Sequence, residues 1–67
     1  MRTYKIFKDA EDGLFLIARE TWFGWLYLNH EFKTEREAKK WLKRNRCNYV
    51  LEKGVGVYVP AIGELMG

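Results

Sequence analysis

Apolar and polar residues alternate along the first half of the chain with the two-residue period of β-strands. The pattern predicts strands over residues 3–8, 14–20 and 25–28. The first two are separated by a turn that ends in Asp12-Gly13, a favoured hairpin pair because glycine accepts a positive φ. Residues 21–24 are compatible with a turn or with a continued strand, and Gly24 favours a turn or bulge.

The next segment carries the signals of an amphipathic helix over residues 35–46. Thr34 and Glu37 have the spacing of a capping box, in which each side chain accepts a hydrogen bond from the backbone amide of the other residue. Ala38, Trp41 and Leu42 fall on one narrow face at helical spacing. Acidic residues lie in the first turn and basic residues in the last, which complements the helix dipole.

Strand chemistry returns after the helix, at residues 49–52 and 55–59. Lys53-Gly54 between them suits a tight hairpin, and a single bent strand is the alternative. Pro60 should end this strand, leaving residues 60–67 as a short C-terminal tail. The predicted fold class is α+β: a small antiparallel sheet in the order β-β-β-α-β(-β), with one amphipathic helix packed on one face.

Composition agrees with a single domain over residues 1–67, because 67 residues leave no room for a second one. Four Phe, four Tyr and three Trp supply the large side chains that a small core needs. No apolar run approaches the roughly 18 residues of a membrane span, and the N-terminus lacks the apolar core of a signal peptide. One cysteine, Cys47, cannot form an internal disulfide and is expected to be buried or half-buried. We therefore expect a cytoplasmic protein that does not bind a membrane.

Residue sets for catalysis are missing from the sequence. His30 is the only histidine and lies in a predicted turn, where a solvated residue is expected rather than a catalyst. One His and one Cys make no zinc site, and the acidic residues before Gly13 lack the ligand spacing of a calcium loop. The sequence therefore predicts a non-catalytic protein without a metal or cofactor.

The net charge of +3 comes from the second half of the chain, since residues 1–33 carry five bases and five acids. At 100° per residue, most of the helical bases lie on the side opposite the apolar face. Such a stripe suits phosphate contacts, and it also suits a solvated helix face, since Lys and Arg are good helix formers. The candidate phosphate contacts on the helix are Arg36, Lys39, Lys40, Lys43, Arg44 and Arg46.

The aromatic residues divide into two groups. Trp22 and Phe23 lie beside the predicted turn and are candidates for exposure. An exposed pair of this kind suits base stacking or a protein-binding hot spot. The remaining large residues expected in the core are Phe7, Phe15, Trp25, Leu26 and Trp41.

Four short motifs mark the third strand and the helix: Gly24-Trp25-Leu26-Tyr27, Phe32-Lys33-Thr34, Glu37-Ala38 and Trp41-Leu42. Across residues 3–46, their order and spacing resemble the arm-type DNA-binding domain at the N-terminus of phage and transposon tyrosine recombinases. The hybrid-binding domain of some ribonucleases H has a similar run. The resemblance implies three antiparallel strands followed by a helix. In the family a catalytic domain follows, and this sequence departs from that pattern, so we expect a free-standing module such as a small regulator of a phage or other mobile element.

In the arm-type family, the sheet face opposite the helix enters the major groove of DNA. Carried over to this chain, the resemblance implies contacts from Lys5, Phe7, Arg19, Trp25 and Tyr27. This sequence departs from the pattern, because its sheet half has no net charge. A groove-reading sheet is normally basic.

Two functions follow as hypotheses. The first is a small module that binds nucleic acid, DNA rather than RNA, mainly through Lys and Arg contacts to phosphate. The second is a small regulatory or inhibitory protein that binds another protein through exposed aromatic residues, a free sheet edge or the C-terminal tail. An open edge also makes a homodimer compatible with the sequence.

Overall fold

The computed structural model describes residues 1–59. They form one four-stranded sheet and one helix that packs on it. The α+β class, with one helix packed on the sheet, is confirmed. The predicted tail lies outside the described residues. Within residues 1–59, no helix is long and apolar enough to cross a membrane. The elements are β1 (Arg2–Asp9), β2 (Phe15–Thr21), β3 (Gly24–Phe32), α1 (Glu35–Asn45) and β4 (Tyr49–Tyr58).

The sheet is mixed and has the strand order β3-β2-β1-β4. Two hairpins make β1, β2 and β3 antiparallel neighbours, as predicted. The expectation of a wholly antiparallel sheet is wrong for β4, which pairs with β1 in parallel. The reason is the helix: β1 and β3 run the same way, α1 brings the chain back to the end where β1 starts, and β4 must then run alongside β1.

The segment after the helix is one bent strand, so the hairpin alternative is wrong. Its register against β1 shifts between Tyr4, which pairs with Leu51, and Ile6, which pairs with Val55. Gly54 lies in this irregularity with φ of +86°, a conformation that L-residues rarely adopt. The Lys53-Gly54 signal therefore marks a bulge within β4 rather than a turn.

The N-terminus of α1 is capped as the sequence predicts. The Glu37 amide donates a hydrogen bond of 3.1 Å to Oγ1 of Thr34, which has extended backbone angles. The reciprocal hydrogen bond from the Thr34 amide to the Glu37 side chain does not form within the described residues, so half of the capping box is present. The helix ends one residue before the predicted boundary, with Arg46 as its C-cap.

Replacing Thr34 with Ala should therefore destabilise the domain. Loss of an N-cap side chain costs about 0.5–2 kcal/mol in free energy of unfolding. For a domain of this size each kcal/mol lowers the melting temperature by roughly 4–8 °C. Thermal unfolding followed by circular dichroism measures the shift, and Thr34→Ser, which keeps the hydroxyl acceptor, is the matched control. Equal losses in both variants would contradict the capping role.

The core lies between α1 and one face of the sheet. Ala38 and Leu42 of the helix are fully buried there, against side chains from β1 and β2. Trp41 is half-buried at the β3 side of the helix, with its ring centroid 6.2 Å from that of Phe32. The buried strand residues of this cluster are Tyr4, Ile6 and Ile17.

An aromatic cluster covers the opposite face of the sheet. The buried ring of Phe7 makes edge contacts with Trp25 and Tyr27, at centroid distances of 5.6 and 5.2 Å. Tyr58 extends the cluster at 4.6 Å from Tyr27. Partial burial, and to a lesser degree the neighbouring Tyr58, raise the pKa of Tyr27 above its usual value. Leu26, which is expected in the core, lies on the helix-side face of β3 and is exposed.

Candidate nucleic-acid interface

The predicted basic stripe of the helix is divided by the structure. All of its bases are exposed. Lys39 is paired with Glu35, one helical turn earlier, at 3.0 Å. Its charge is therefore partly balanced, whereas no ion pair within the described residues engages the other helical bases. Those bases are Arg36, Lys40, Lys43 and Arg44.

Arg46 leaves the stripe because it follows the last helical residue. Its guanidinium carbon lies 5.1 Å from the centroid of the Trp41 ring, in cation–π range. Its Nη1 also donates a hydrogen bond of 3.1 Å to the carbonyl oxygen of Asn45. These contacts place Arg46 at the C-terminal end of the helix, beside the sheet.

Three arginines from separate parts of the chain line one depression at that end of the domain. They are Arg2 at the start of β1, Arg19 near the end of β2, and Arg46. The depression has a volume of about 320 Å³, and no acidic residue among residues 1–59 lines it. The ion pairs within residues 1–59 are Lys5 with Glu52 and Lys39 with Glu35, so none of the three arginines is paired there. We call these three residues the arginine cluster.

The strand register explains why these arginines meet. Arg19 pairs across the sheet with Tyr4, a residue of the helix-side core, so Arg19 lies on the helix side. Arg2 precedes Tyr4 by two residues and shares its face. The helix runs back toward the end of the sheet where β1 begins, and Arg46, its C-cap, therefore lies at that end.

The hairpin between β2 and β3 projects Trp22 and Phe23 at the same end. The two residues are 99% and 101% exposed, and the predicted exposure is confirmed. Thr21 and Gly24 pair directly, so the two aromatic residues form the whole loop. Thr21 Oγ1 donates to the Gly24 carbonyl oxygen at 2.8 Å and accepts from the Phe23 amide at 3.3 Å. We call this loop the aromatic tip.

The open face of the sheet contains four of the five residues that the resemblance assigns to DNA. Lys5, Phe7, Trp25 and Tyr27 lie there, but the prediction that Arg19 shares this face is wrong because of its register. Phe7 is buried, and Lys5 Nζ lies 3.9 Å from a carboxylate oxygen of Glu52.

The charge of this face is not basic. Glu20 pairs with Trp25 and therefore shares its face, whereas the charge of Lys5 is already partly balanced by Glu52. The arginine cluster is therefore more basic than the open face.

Cys47 is exposed and lines the same depression, so the expectation of a buried or half-buried thiol is wrong. The chain turns there: Asn48 has φ of +52°, which carries the backbone from the helix into β4.

His30, expected to be a solvated turn residue, is an exposed residue of β3 with its ring centroid 4.8 Å from that of Trp41.

Comparison with protein-family models, curated proteins and solved structures finds no match to this chain. The resemblance to the arm-type domain stays a prediction.

Proposed function

We propose that this protein is a small DNA-binding module that contacts phosphates through the arginine cluster. The supporting observation is that three arginine residues line one depression and that none of the described acidic residues lines it. Arginine presents planar donors that match phosphate oxygens in pairs, and it keeps its charge at every physiological pH. Three arginines around one depression raise the positive potential there, which favours binding of an anion.

The helix extends this basic surface. Lys43 and Arg44 occupy its last turn, next to Arg46, and the acids of the helix lie in its first turn. A strand of DNA passing the depression would therefore meet further cations along the helix.

DNA rather than RNA is the expected partner, because the resemblance to the arm-type domain implies DNA. The same resemblance favours an origin in a phage or other mobile element.

Replacing Arg19 with Gln should weaken DNA binding and reduce its dependence on salt. Loss of one phosphate contact lowers the slope of log K against log salt by about 1. A charge-assisted hydrogen bond of about 1.5 kcal/mol corresponds to a loss of roughly 10-fold in affinity. Fluorescence anisotropy of a labelled oligonucleotide that joins a duplex to a single-stranded overhang, measured at several salt concentrations, gives both quantities.

The control is Lys39→Gln, which removes the same unit charge from a residue paired with Glu35 and placed outside the depression. We expect this variant to retain most of its affinity and slope. Cys47 supplies an independent readout, because bound DNA should slow alkylation of this thiol. Absence of binding by the native protein at low salt would exclude the proposed function, and equal effects of the two variants would exclude the arginine cluster as its site.

The second hypothesis, a protein-binding module, is favoured by a different part of the molecule. β3 and β4 are the two edges of the sheet. Val57 and Val59 are exposed at the end of the β4 edge, at 67% and 68%. A free edge with apolar side chains is a template for pairing with a strand of another chain, including a second copy. Sedimentation of the purified protein at increasing concentration tests the homodimer.

A further inference from the structure

The aromatic tip and the arginine cluster occupy the same end of the domain, and we infer from this arrangement that the DNA target is single-stranded. The inference rests on the proposed function and names its substrate: the arginines hold phosphates while unpaired bases stack on Trp22 and Phe23. Two rings whose side chains are 99% and 101% exposed have no packing role within the described residues. A small protein rarely leaves such large apolar groups in water without use.

The spacing between the two features suits one strand of nucleic acid. Arg19 precedes Trp22 by three residues along an extended hairpin arm, which corresponds to roughly 10 Å between Cα atoms. Arginine and aromatic side chains each reach several ångströms further. A strand can therefore place a phosphate at the depression and a neighbouring base at the tip without a change in the fold.

The backbone of the aromatic tip is held by hydrogen bonds. Trp22 and Phe23 form the whole loop between the paired strands. The Thr21 hydroxyl accepts a hydrogen bond from the Phe23 amide and donates one to the Gly24 carbonyl oxygen. Gly24 has φ of +119°, which L-residues rarely adopt, so glycine permits this tight connection. A loop backbone that is already ordered adds little entropy cost when a base stacks on its rings.

Base stacking requires an open base face, which distinguishes single strands from duplexes. In a duplex the faces of the bases are covered by their neighbours, and only the edges are accessible in the grooves. Trp and Phe offer no pattern of hydrogen bonds for reading edges, since the indole ring has one donor and the phenyl ring none. Their π-faces match unpaired bases of any sequence. We therefore expect preference for single strands with little sequence dependence.

The test compares one labelled oligonucleotide as a single strand and annealed to its complement, using the full chain. We expect the native protein to bind the single strand at least about 10-fold more tightly. Trp22→Ala and Phe23→Ala should each lower affinity for the single strand by roughly 5- to 150-fold. Neither should change the salt slope, because the aromatic rings contact no phosphate. Arg19→Gln should change that slope for both forms of the DNA.

Trp22→Phe is the matched control for Trp22→Ala, since it retains a stacking ring at the same position. It should bind single strands almost as the native protein does. It also assigns the spectroscopic signal: stacking of a base should quench tryptophan fluorescence in the native protein, and the quenching should be largely lost in Trp22→Phe while binding persists. The two half-buried tryptophans, Trp25 and Trp41, remain in both proteins.

The outcomes separate this inference from the proposed function. If native protein binds neither form of DNA at low salt, both fail. If it binds both forms with a steep salt slope and the Ala variants bind as well as native protein, the proposed function stands and the single-strand inference is overturned. A duplex bound as tightly as the single strand, with equal losses in the Ala variants, would also overturn it and indicate that the rings act as a wedge between base pairs.

Discussion

Leu42→Ala should destabilise the protein by about 2–5 kcal/mol, the range for removing a buried leucine side chain. Leu42 is the largest helical residue with 0% exposure, and it packs against β1 and β2 at the centre of the core. A chain of 67 residues has a total stability on the order of 3–10 kcal/mol, so the loss is a large fraction of it. The melting temperature should fall by roughly 8–40 °C, and part of the population should be unfolded at 37 °C.

Leu26→Ala is the matched control, because it makes the same chemical change at a side chain that is 49% exposed. It should cost no more than about 1 kcal/mol, since less apolar surface leaves water there and no closed cavity forms. Urea unfolding of the two variants gives both free energies, and an unchanged dependence on urea would show that the denatured states are comparable. Similar losses in the two variants would contradict the assignment of the core.

The local elements follow from the sequence because their causes are local. Alternation along β1 and β2 and the Thr34 cap are set by neighbours within a few residues, and the structure agrees with them. The parallel pairing of β4 was missed because it depends on the direction in which the helix returns. The hydrophobicity of Leu26 predicts a core residue, but β3 is an edge strand of the sheet and Leu26 is 49% exposed there.

The candidate site was predicted only in part, for the same reason. Trp22 and Phe23 were identified because a tight turn leaves no place to bury them. The arginine cluster was missed as a group, although Arg19 and Arg46 were each candidates, because its members come from three elements. One signal was available: Arg19 falls opposite Ala18 in the alternation of β2, and thus on the side of Ile17. A register for β1 and β2 would have placed it beside Tyr4.

Gly56→Ala should be the most disruptive small substitution on the other face of the sheet. A methyl group at Gly56 would overlap Cδ2 and Cε2 of the Phe7 ring, which lies directly over this glycine. The ring has little room to move, since the Trp25 and Tyr27 rings pack against it in T-shaped contacts, with centroids 5.6 and 5.2 Å away. Overpacking of this kind costs about 1–3 kcal/mol, so the melting temperature should fall by roughly 4–24 °C.

A double-mutant cycle with Phe7→Leu isolates this contact. Phe7→Leu alone should destabilise the domain by removing part of the aromatic cluster, but it shortens the side chain over residue 56 and makes room for the methyl group. The two substitutions together should therefore cost less than the sum of their separate effects, by at least about 0.5 kcal/mol. Val57→Thr, an exposed neighbour in β4 that keeps its β-branched shape, should remain close to native stability. Additive effects in the cycle would show that the loss at Gly56 comes from the backbone rather than from the Phe7 ring.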